Sequence, residues 1–530
     1  MKKFIIPCLL LLQATSYAQF KVVAESPSFE EPEGGFAQIL QMKNGNTLFV
    51  RSGAKDGYDL QVYDTKHQLK VQQTIVPNLE KRKSQGIERV FETNGDITVL
   101  MNELDGKVPL LYRLVVDGTT CKVKKDEKIA ELDKVTRGQQ YAMVFGHVPE
   151  PEFFVRKDLY SDNYAIAIFN SFESDRNKRI EVVLYGADHT ELSRAYYTSP
   201  EEKYKYLEFI DMAVLGNEKV CILAYAYNTR ASGGKESELV LATLEKGASA
   251  VELTELKFSK GMKIAHGLTR FNPVTKKLLL LAALDPENDA AHNAILVTVD
   301  PATRKIEKTT PVFPKEANKK NIELFGSKST LKGTPNSLLV NNDGSFTIVY
   351  EEIEEAGGTT SSGAYMHTGT ELGNVSVSTF DTNGKPLTSY LMPKNHFIFN
   401  QAKYAFYPAY QPGASLYSGN QFKSYAFLSR KDKMYVLFND VEENTERVLK
   451  GKLTTIRGVG ECEAYAYTLS GDNVLPARDF VFGKPENKRD HNLAVFSIST
   501  YDAAQDLFIT LKLEVKGKDK RMKLVWMSPA

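Results

Sequence analysis

The same short unit recurs along the chain: a strand, a tight polar turn and a second, more apolar strand. Eight copies occur, and their second strands begin at residues 46, 96, 163, 219, 277, 345, 433 and 506. The apolar runs are rich in Val, Ile, Leu, Phe and Tyr and are bounded by Gly, Asn, Asp or Pro, which is typical of strands. Asn44-Gly45 and Asn94-Gly95 are the clearest turns, because a two-residue hairpin needs positive φ at both central positions.

Two further strands fit between most hairpins, such as "YDLQVYDT" (58–65) and "LKVQQTIV" (69–76). Several strands also end in an aspartate that closes the next turn, as in "VYDTKHQL", "VTVDPATRKI" and "STFDTNGKPL". Four antiparallel strands repeated in this way are typical of one blade of a β-propeller. The pattern therefore predicts an all-β fold, a single β-propeller of seven or eight four-stranded antiparallel blades over residues 19–530.

Ring closure is expected because a single four-stranded sheet has two apolar faces and cannot bury both alone. The last unit, 493–527, has room for only three strands, so residues 20–26 are expected to supply its outer strand. Two separate β-domains are the competing interpretation for a chain of 530 residues. No Pro/Gly/Ser-rich linker marks a boundary in the sequence, which favours one ring.

The amino terminus has the features of an export signal. Lys2 and Lys3 precede an apolar stretch at residues 4–12, and Ser16-Tyr17-Ala18 places small residues at the cleavage positions. The stretch is much shorter than the roughly 20 residues that span a bilayer. We therefore predict a signal peptide over residues 1–18, no transmembrane segment after its cleavage, and a periplasmic, secreted or cell-surface protein.

With this signal, its Asn-Gly hairpins and its "YD" turns, the chain resembles large secreted proteins of Bacteroidota-type bacteria that carry β-propeller-like repeats and no assigned activity. The resemblance covers most of the mature chain and includes no catalytic motif. It implies an envelope location and a propeller fold.

Composition and motifs narrow the function classes. Lysine and arginine total 67 against 66 acidic residues, and no basic stripe follows the chain, so nucleic acid is not an expected partner. The segments "GSKST" (326–330) and "GASLYSG" (413–419) fail the spacings of a nucleotide-binding loop and a serine hydrolase. The eight histidines show no metal-ligand spacing and are interpreted as turn or surface residues. We predict no catalytic residues, no metal and no cofactor, and we expect the three mature cysteines, Cys121, Cys221 and Cys462, to be buried.

Two long insertions are the best candidates for a binding site. The first, "EEIEEAGGTTSSGAYMHTGTE" (351–371), follows the second strand of the sixth unit, and the second, residues 393–422, leads into the seventh. Both are expected at the same end of the strands, where they should meet between adjacent blades, and long loops on a rigid scaffold often bind ligands. The candidate ligand-binding residues are Glu354, Glu355, Tyr365, His367, Tyr404, Tyr407, Tyr410 and Tyr417.

Two interpretations of these residues stay open. In one, the tyrosines form a recognition surface for an envelope protein, peptide or glycan. In the other, they pack beneath their own loop and plug the central channel. The sequence favours an exported, non-catalytic binding or scaffolding module. The alternative is a carbohydrate-active envelope enzyme that uses the loop carboxylates.

Overall fold

In the computed structural model the first strand of the chain joins the last sheet. The structure describes residues 20–529 except 33, 53–56, 78–84, 106, 147, 198–202, 229–236, 285–293, 360–364, 408–414, 417–419 and 431–432. Strand β1 (Phe20–Glu25) pairs antiparallel with the final strand of the chain, with Phe20 opposite Pro529 and Glu25 opposite Val525. The expected outer strand of the last unit is thus confirmed. Residues 1–18, the predicted signal peptide, lie outside the described residues.

The next sixteen strands form four antiparallel sheets in chain order. Blade 1 contains β2 (Gly35–Gln41), β3 (Thr47–Ser52), β4 (Tyr58–Tyr63) and β5 (Leu69–Ile75). Blade 2 contains β6 (Gln85–Thr93), β7 (Asp96–Asp105), β8 (Val108–Asp117) and β9 (Val123–Glu131). Blade 3 contains β10 (Glu152–Lys157), β11 (Tyr164–Phe169), β12 (Ile180–Tyr185) and β13 (Glu191–Tyr196). Blade 4 contains β14 (Tyr206–Leu215), β15 (Lys219–Tyr227), β16 (Ser237–Glu245) and β17 (Glu252–Glu255).

The remaining strands form four more sheets and two short additions. Blade 5 contains β18 (Ile264–Asn272), β19 (Lys277–Leu284), β20 (Ala294–Val299) and β21 (Ile306–Pro311). Blade 6 contains β22 (Thr334–Val340), β23 (Phe346–Thr359), β24 (Tyr365–Phe380) and β25 (Pro386–Met392), and β26 (His396–Phe399) also pairs with β24. The two-residue strand β27 (Ser415–Leu416) pairs with β2. Blade 7 contains β28 (Ala426–Ser429), β29 (Met434–Asp440), β30 (Glu463–Leu469) and β31 (Arg478–Phe480). Blade 8 contains β32 (Asp490–Ala494), β33 (Thr500–Asp502), β34 (Leu507–Lys516), β35 (Asp519–Pro529) and β1.

These eight sheets make an all-β propeller, and the count is eight rather than seven. Each pair of adjacent blades shares a buried apolar cluster, and one of these clusters joins blade 8 to blade 1. That last cluster contains Trp526, which is fully buried and donates its indole N–H to Thr47 Oγ1 at 2.9 Å. Eight clusters between eight blades mean that every blade buries both of its faces.

Three short α-helices lie in the described connections, and the strand pattern did not predict them. They are α1 (Arg137–Gly146), α2 (Lys315–Phe325) and α3 (Asn444–Leu449). Helix α2 begins directly after Pro314 and ends at Gly326, where φ is 97°, as proline at a helix start and glycine at its end favour. No helix in the described part of the chain is long and apolar enough to cross a membrane.

The turn chemistry is mostly as expected, with one correction. Asn94 and Gly95 both have positive φ, at 49° and 82°, in a two-residue turn between Thr93 and Asp96. At Asn44-Gly45 the prediction of a two-residue turn is wrong, because only Gly45 has positive φ. The last paired residues of the two strands are Gln41 and Thr47, so residues 42–46 form the connection. A longer loop closed by a glycine in the left-handed region forms there instead.

The repeated aspartates close turns through their side chains. In each of the three motifs one carboxylate oxygen accepts two backbone N–H groups within the next four residues. The acceptors are Asp64, Asp300 and Asp381. The backbone N–H of Thr303 and the ammonium of Lys277 hold the pKa of Asp300 down at about 2.

The burial of the cysteines is confirmed, and the histidine interpretation is partly wrong. Cys121, Cys221 and Cys462 are free and buried. His266 and His396 are each 1% exposed within strands, so they are core residues rather than turn or surface residues.

The pairing of β1 with β35 predicts a large effect of Phe20 on stability. Its ring is 2% exposed and lies 5.3 Å from the ring centre of Tyr435 in blade 7 and 5.8 Å from that of Phe508 in blade 8. Replacing Phe20 by alanine should lower the free energy of unfolding by about 3–5 kcal/mol, as large-to-small core changes do. Urea unfolding followed by tryptophan fluorescence measures the change. Val22→Ala is the matched control, because Val22 is 41% exposed on the same strand. Equal midpoints for the two variants would contradict a closing role for β1.

Candidate functional site

Most of the long connections meet on one face of the ring. In an antiparallel blade the connections after the second and fourth strands leave from the same end of the sheet, and all three helices lie in such connections. Most described connections at the opposite end are short turns, such as Asn94-Gly95 and residues 216–218. We define the hairpin extension as residues 352–359 and 365–374 of β23 and β24, and the strap as residues 393–425 between blades 6 and 7.

The hairpin extension replaces the loop expected from the first insertion. β23 and β24 run for 14 and 16 residues, and their pairing continues to Thr359 and Tyr365. At the base a bulge places Gly373 and Asn374 of β24 opposite Glu352 alone. The side chain of Glu352 uses this irregularity, because its carboxylate accepts the backbone N–H groups of Asn374 at 3.2 Å and Lys332 at 3.1 Å.

The strap crosses the same face from blade 6 to blade 1. Its strand β26 pairs with residues 369–372 of the hairpin extension, which confirms that the two insertions meet. Further on, Tyr407 lies against His266 of blade 5, with ring centres 4.7 Å apart. Strand β27 then pairs with Gly35 and Phe36 at the start of β2.

The hairpin extension has one apolar and one acidic face. Ile353 and Leu372 project into a buried cluster with Ile398, Phe406 and Tyr407 of the strap. Glu354 lies directly opposite Glu371 in the strand pair, so both carboxylates project from the other face. Alternation along the two strands thus separates packing from charge.

The eight sequence candidates are therefore divided among different places. Glu354 and Glu355 are both exposed but lie on opposite faces of the hairpin extension. His367 is half-buried on β24, and Tyr407 is 7% exposed within the apolar cluster. Tyr365 lies on β24 and Tyr404 in the short 3-10 helix Lys403–Phe406, and their side chains are outside the described set. Tyr410 and Tyr417 lie outside the described residues.

A buried ion pair fixes the start of the strap to blade 6. Lys394 Nζ lies 2.6 Å from Glu351 Oε1, and both side chains are almost fully buried. Asn336 donates to the other oxygen of Glu351 at 3.1 Å. Burial raises the pKa of Glu351 and lowers that of Lys394, while their mutual attraction opposes both shifts. Removing either partner would leave a buried charge without compensation, which makes this pair a strong local constraint.

A cavity of about 310 Å³ opens beside this pair, on the acidic face of the hairpin extension. Three carboxylates line it, those of Glu352, Glu354 and Glu371. Burial raises the pKa of Glu352, while the two backbone N–H groups that it accepts oppose that shift. Lys332 Nζ lies 3.2 Å from Glu354 Oε1 in a pair that is about half exposed on both sides.

The other cavity walls come from segments that the sequence did not single out. Helix α2 supplies Asn321 and Phe325, and Leu453 follows α3 in blade 7. Asn321 is oriented by Asn374, whose amide donates to its Oδ1 at 3.2 Å. The only sequence signal for this wall was the Pro314 to Gly326 spacing of a short helix. Among the described residues, no group of three or more His, Cys, Asp or Glu side chains is placed to hold a metal ion.

The innermost strands carry a second set of charges around the central channel. Asp211 of blade 4 accepts from Arg156 Nε of blade 3 at 2.9 Å and from Arg270 Nη1 of blade 5 at 3.0 Å. Burial alone would raise the pKa of Asp211, but the two guanidinium groups bring it below its usual value. Glu152 has a pKa raised to about 8 by burial and by neighbouring carboxylates. Asp211 and its two arginine partners tie three neighbouring blades together.

Comparisons with known proteins give only distant structural likenesses. No family model matches the chain, and a search of curated proteins found no match. Prolyl oligopeptidase B from Galerina marginata is similar in structure at a TM-score of 0.41 and 10% identity, covering 92% of this chain and 56% of that one. The polysaccharide lyase Uly1 gives 0.39 and 9% over 83% and 89% of the two chains. The β-propeller domain of the Trilobed protease from Pyrococcus furiosus gives 0.34 and 9% over 69% and 100%. The chain spans about half the length of the oligopeptidase, and no function follows from likenesses this distant.

The contact between His266 and Tyr407 predicts a pH effect on stability. Burial lowers the pKa of His266 to about 3, and neither ring nitrogen has a hydrogen-bond partner among the described residues. A histidine in the unfolded chain binds a proton near pH 6.5, whereas His266 in the folded chain does so only near pH 3. The stability that neutral His266 contributes to the folded state is therefore complete above pH 6.5 and is lost as the pH falls toward 3. His266→Phe should match or exceed the native stability at pH 7 and reduce its decline between pH 6.5 and 4.

Urea unfolding at each pH measures this difference. His491→Phe is the control, because His491 of blade 8 is paired with Glu463 of blade 7 at 2.7 Å, away from the contact between His266 and Tyr407. Parallel stability curves for the native protein and His266→Phe would contradict a neutral, buried His266.

Proposed function

We propose that the protein is an exported, non-catalytic binding module of the bacterial cell envelope. It recognises a protein, peptide or glycan through the face that carries the hairpin extension. The observation that carries this proposal is the cavity at the base of that extension. It combines carboxylates, amides and apolar side chains from four separate segments, and a concave mixed site of this kind on a rigid scaffold is typical of ligand binding.

The hairpin extension adds further proposed contacts, and Glu355 places one of them on the face opposite the cavity. The proposed contacts are Glu354, Glu355 and His367, together with Tyr365, Tyr404, Tyr410 and Tyr417. Tyr407 has a different role, because its ring packs in the apolar cluster beneath the hairpin extension and against His266. It supports the face from below.

A carbohydrate-active enzyme is the second candidate, and Glu352 is the observation in its favour. A carboxyl with a raised pKa beside other carboxylates is a feature of general acids. Both oxygens of Glu352 are engaged by backbone N–H groups, which favours a role in holding the bulge. The binding module therefore remains the proposal.

A cavity-blocking variant tests the proposal. The mature protein, residues 19–530, is screened by thermal unfolding against glycans, peptides and envelope proteins, because a ligand of the native state raises the melting temperature. Thr330→Trp should abolish the shift, since Thr330 is an exposed residue of the cavity wall. Ser327→Trp, in the same segment but outside the lining, should keep it.

Two results would overturn the proposal. One is a screen in which no compound shifts the melting temperature. The other is a shift that survives Thr330→Trp, which would place the site elsewhere. Conversion of a bound glycan, detected as new reducing ends or double bonds, would show that the protein is a carbohydrate-active enzyme and not a non-catalytic binding module.

The export part of the proposal has its own test. Expressed with its natural amino terminus in a Gram-negative host, the protein should appear outside the cytoplasm with Gln19 as its first residue, read by amino-terminal sequencing. Ala18→Arg should prevent cleavage by placing a large charge at a position that requires a small residue. A cytoplasmic protein that retains residues 1–18 would contradict export.

A further inference from the structure

Glu354 and Glu371 carry like charges at directly opposite positions of the hairpin extension. Like charges in this arrangement destabilise a strand pair. Two described lysines relieve the repulsion only in part: Lys332 pairs with Glu354, and Lys394 is buried against Glu351. The cavity lining holds three carboxylates and one ammonium, that of Lys394, which gives a formal charge of −2.

The cavity also has apolar lining residues. Phe325 and Leu453 line it together with the carboxylates, and its volume of about 310 Å³ is at the small end of the usual range for ligand sites. Lysine and arginine combine an aliphatic stem with a charged end, and they bury the stem while the charge stays at a polar boundary. One such side chain suits both kinds of lining residue.

A strand edge beside the cavity indicates how that side chain is delivered. β22 pairs with β23 only as far as Glu351, opposite Thr334. Beyond it, residues 354–359 pair with β24 on one side and with no described strand on the other. An open edge presents unpaired N–H and C=O groups that an extended peptide can use to add a strand. A residue placed opposite Glu354 in that strand would project from the same face as Glu354 and Glu371.

We infer that the hairpin extension binds an extended basic peptide, which adds a strand along residues 354–359 and inserts a lysine or arginine side chain into the acidic cavity. This inference rests on the proposed function, because it names the ligand class of the same site. The strand edge selects a peptide over an amino sugar, which would offer a similar cation without backbone hydrogen-bonding groups. The like-charge pair is then a cost of the free protein that the bound cation removes.

The test uses fluorescein-labelled six-residue peptides and the mature protein, with binding followed by fluorescence anisotropy. The sequence Thr-Lys-Val-Lys-Thr-Lys is compared with versions that carry glutamine or glutamate in place of lysine. An alternately N-methylated lysine version keeps the charge and loses the strand hydrogen bonds. Glucosamine and calcium chloride serve as unlabelled competitors at constant ionic strength.

The lysine peptide should bind best, and the glutamine peptide about fivefold more weakly, as expected for partly exposed ion pairs. The glutamate and N-methylated peptides should not bind, and added salt should weaken the lysine peptide. Glu371→Gln should weaken binding about fivefold while raising the melting temperature of the free protein. Glu354→Gln is the second variant of the same pair, because it removes the other of the two opposed charges. Glu323→Gln, an exposed change on α2 paired only with Lys320, should alter neither quantity.

The outcomes separate this inference from the proposed function. Equal binding of lysine and glutamine peptides, or Glu371→Gln binding as the native protein does, would overturn the cationic class while the binding role survives. A rise in melting temperature with glucosamine or calcium chloride, but not with the lysine peptide, would replace the peptide by a sugar or a metal ion. If the N-methylated peptide bound as well as the lysine peptide, the peptide would not bind by adding a strand. If no probe binds and the wider screen also fails, both proposals fall.

Discussion

Burial of both faces of every blade is the constraint on which the rest of the structure depends. A four-stranded sheet exposes two apolar faces, and the eight shared clusters cover all sixteen of them. Blade 8 is built from both ends of the folded chain, because β1 forms the outer strand beside β35. Joining these distant segments holds the ring closed, and the closed ring supplies the rigid platform from which the hairpin extension and the strap project.

The fold was largely predictable because it follows from local periodicity. The predicted starts of the eight second strands agree with the structure to within one residue, for example 163 against Tyr164 and 506 against Leu507. The closing strand was predictable by counting, since the last unit lacked one strand. The blade count stayed open because residues 393–480 contain the strap and α3, which interrupt the period. The helices in the connections were not predicted, because a single short helix gives a weak sequence pattern among the 35 described strands.

The site was predictable only as a region. The two insertions meet as expected, because blade topology fixes the end of the sheet from which a connection leaves. Two features of the site depend on the strand register and on the bulge opposite Glu352. Glu354 and Glu355 lie on opposite faces of the hairpin extension, and Glu354 lies opposite Glu371. A one-residue change in register moves a side chain to the opposite face, so the sequence pattern alone could not assign these faces. The wall formed by Asn321 and Phe325 is brought there by tertiary packing alone.

The two faces of the hairpin extension explain why charge, rather than aromatic surface, defines the candidate site. A hairpin that projects beyond its blade must cover one face to remain ordered, and Ile353 and Leu372 achieve this by packing with Phe406 and Tyr407 of the strap. The strap is itself fixed at its start by the ion pair of Lys394 with Glu351, and further along by the pairing of β27 with β2. Aromatic residues are thus used for support, while the uncovered face keeps Glu354 and Glu371 at the cost of their mutual repulsion. Stability and recognition are separated by strand alternation, so a change on the acidic face can alter binding without loosening the strap beneath it.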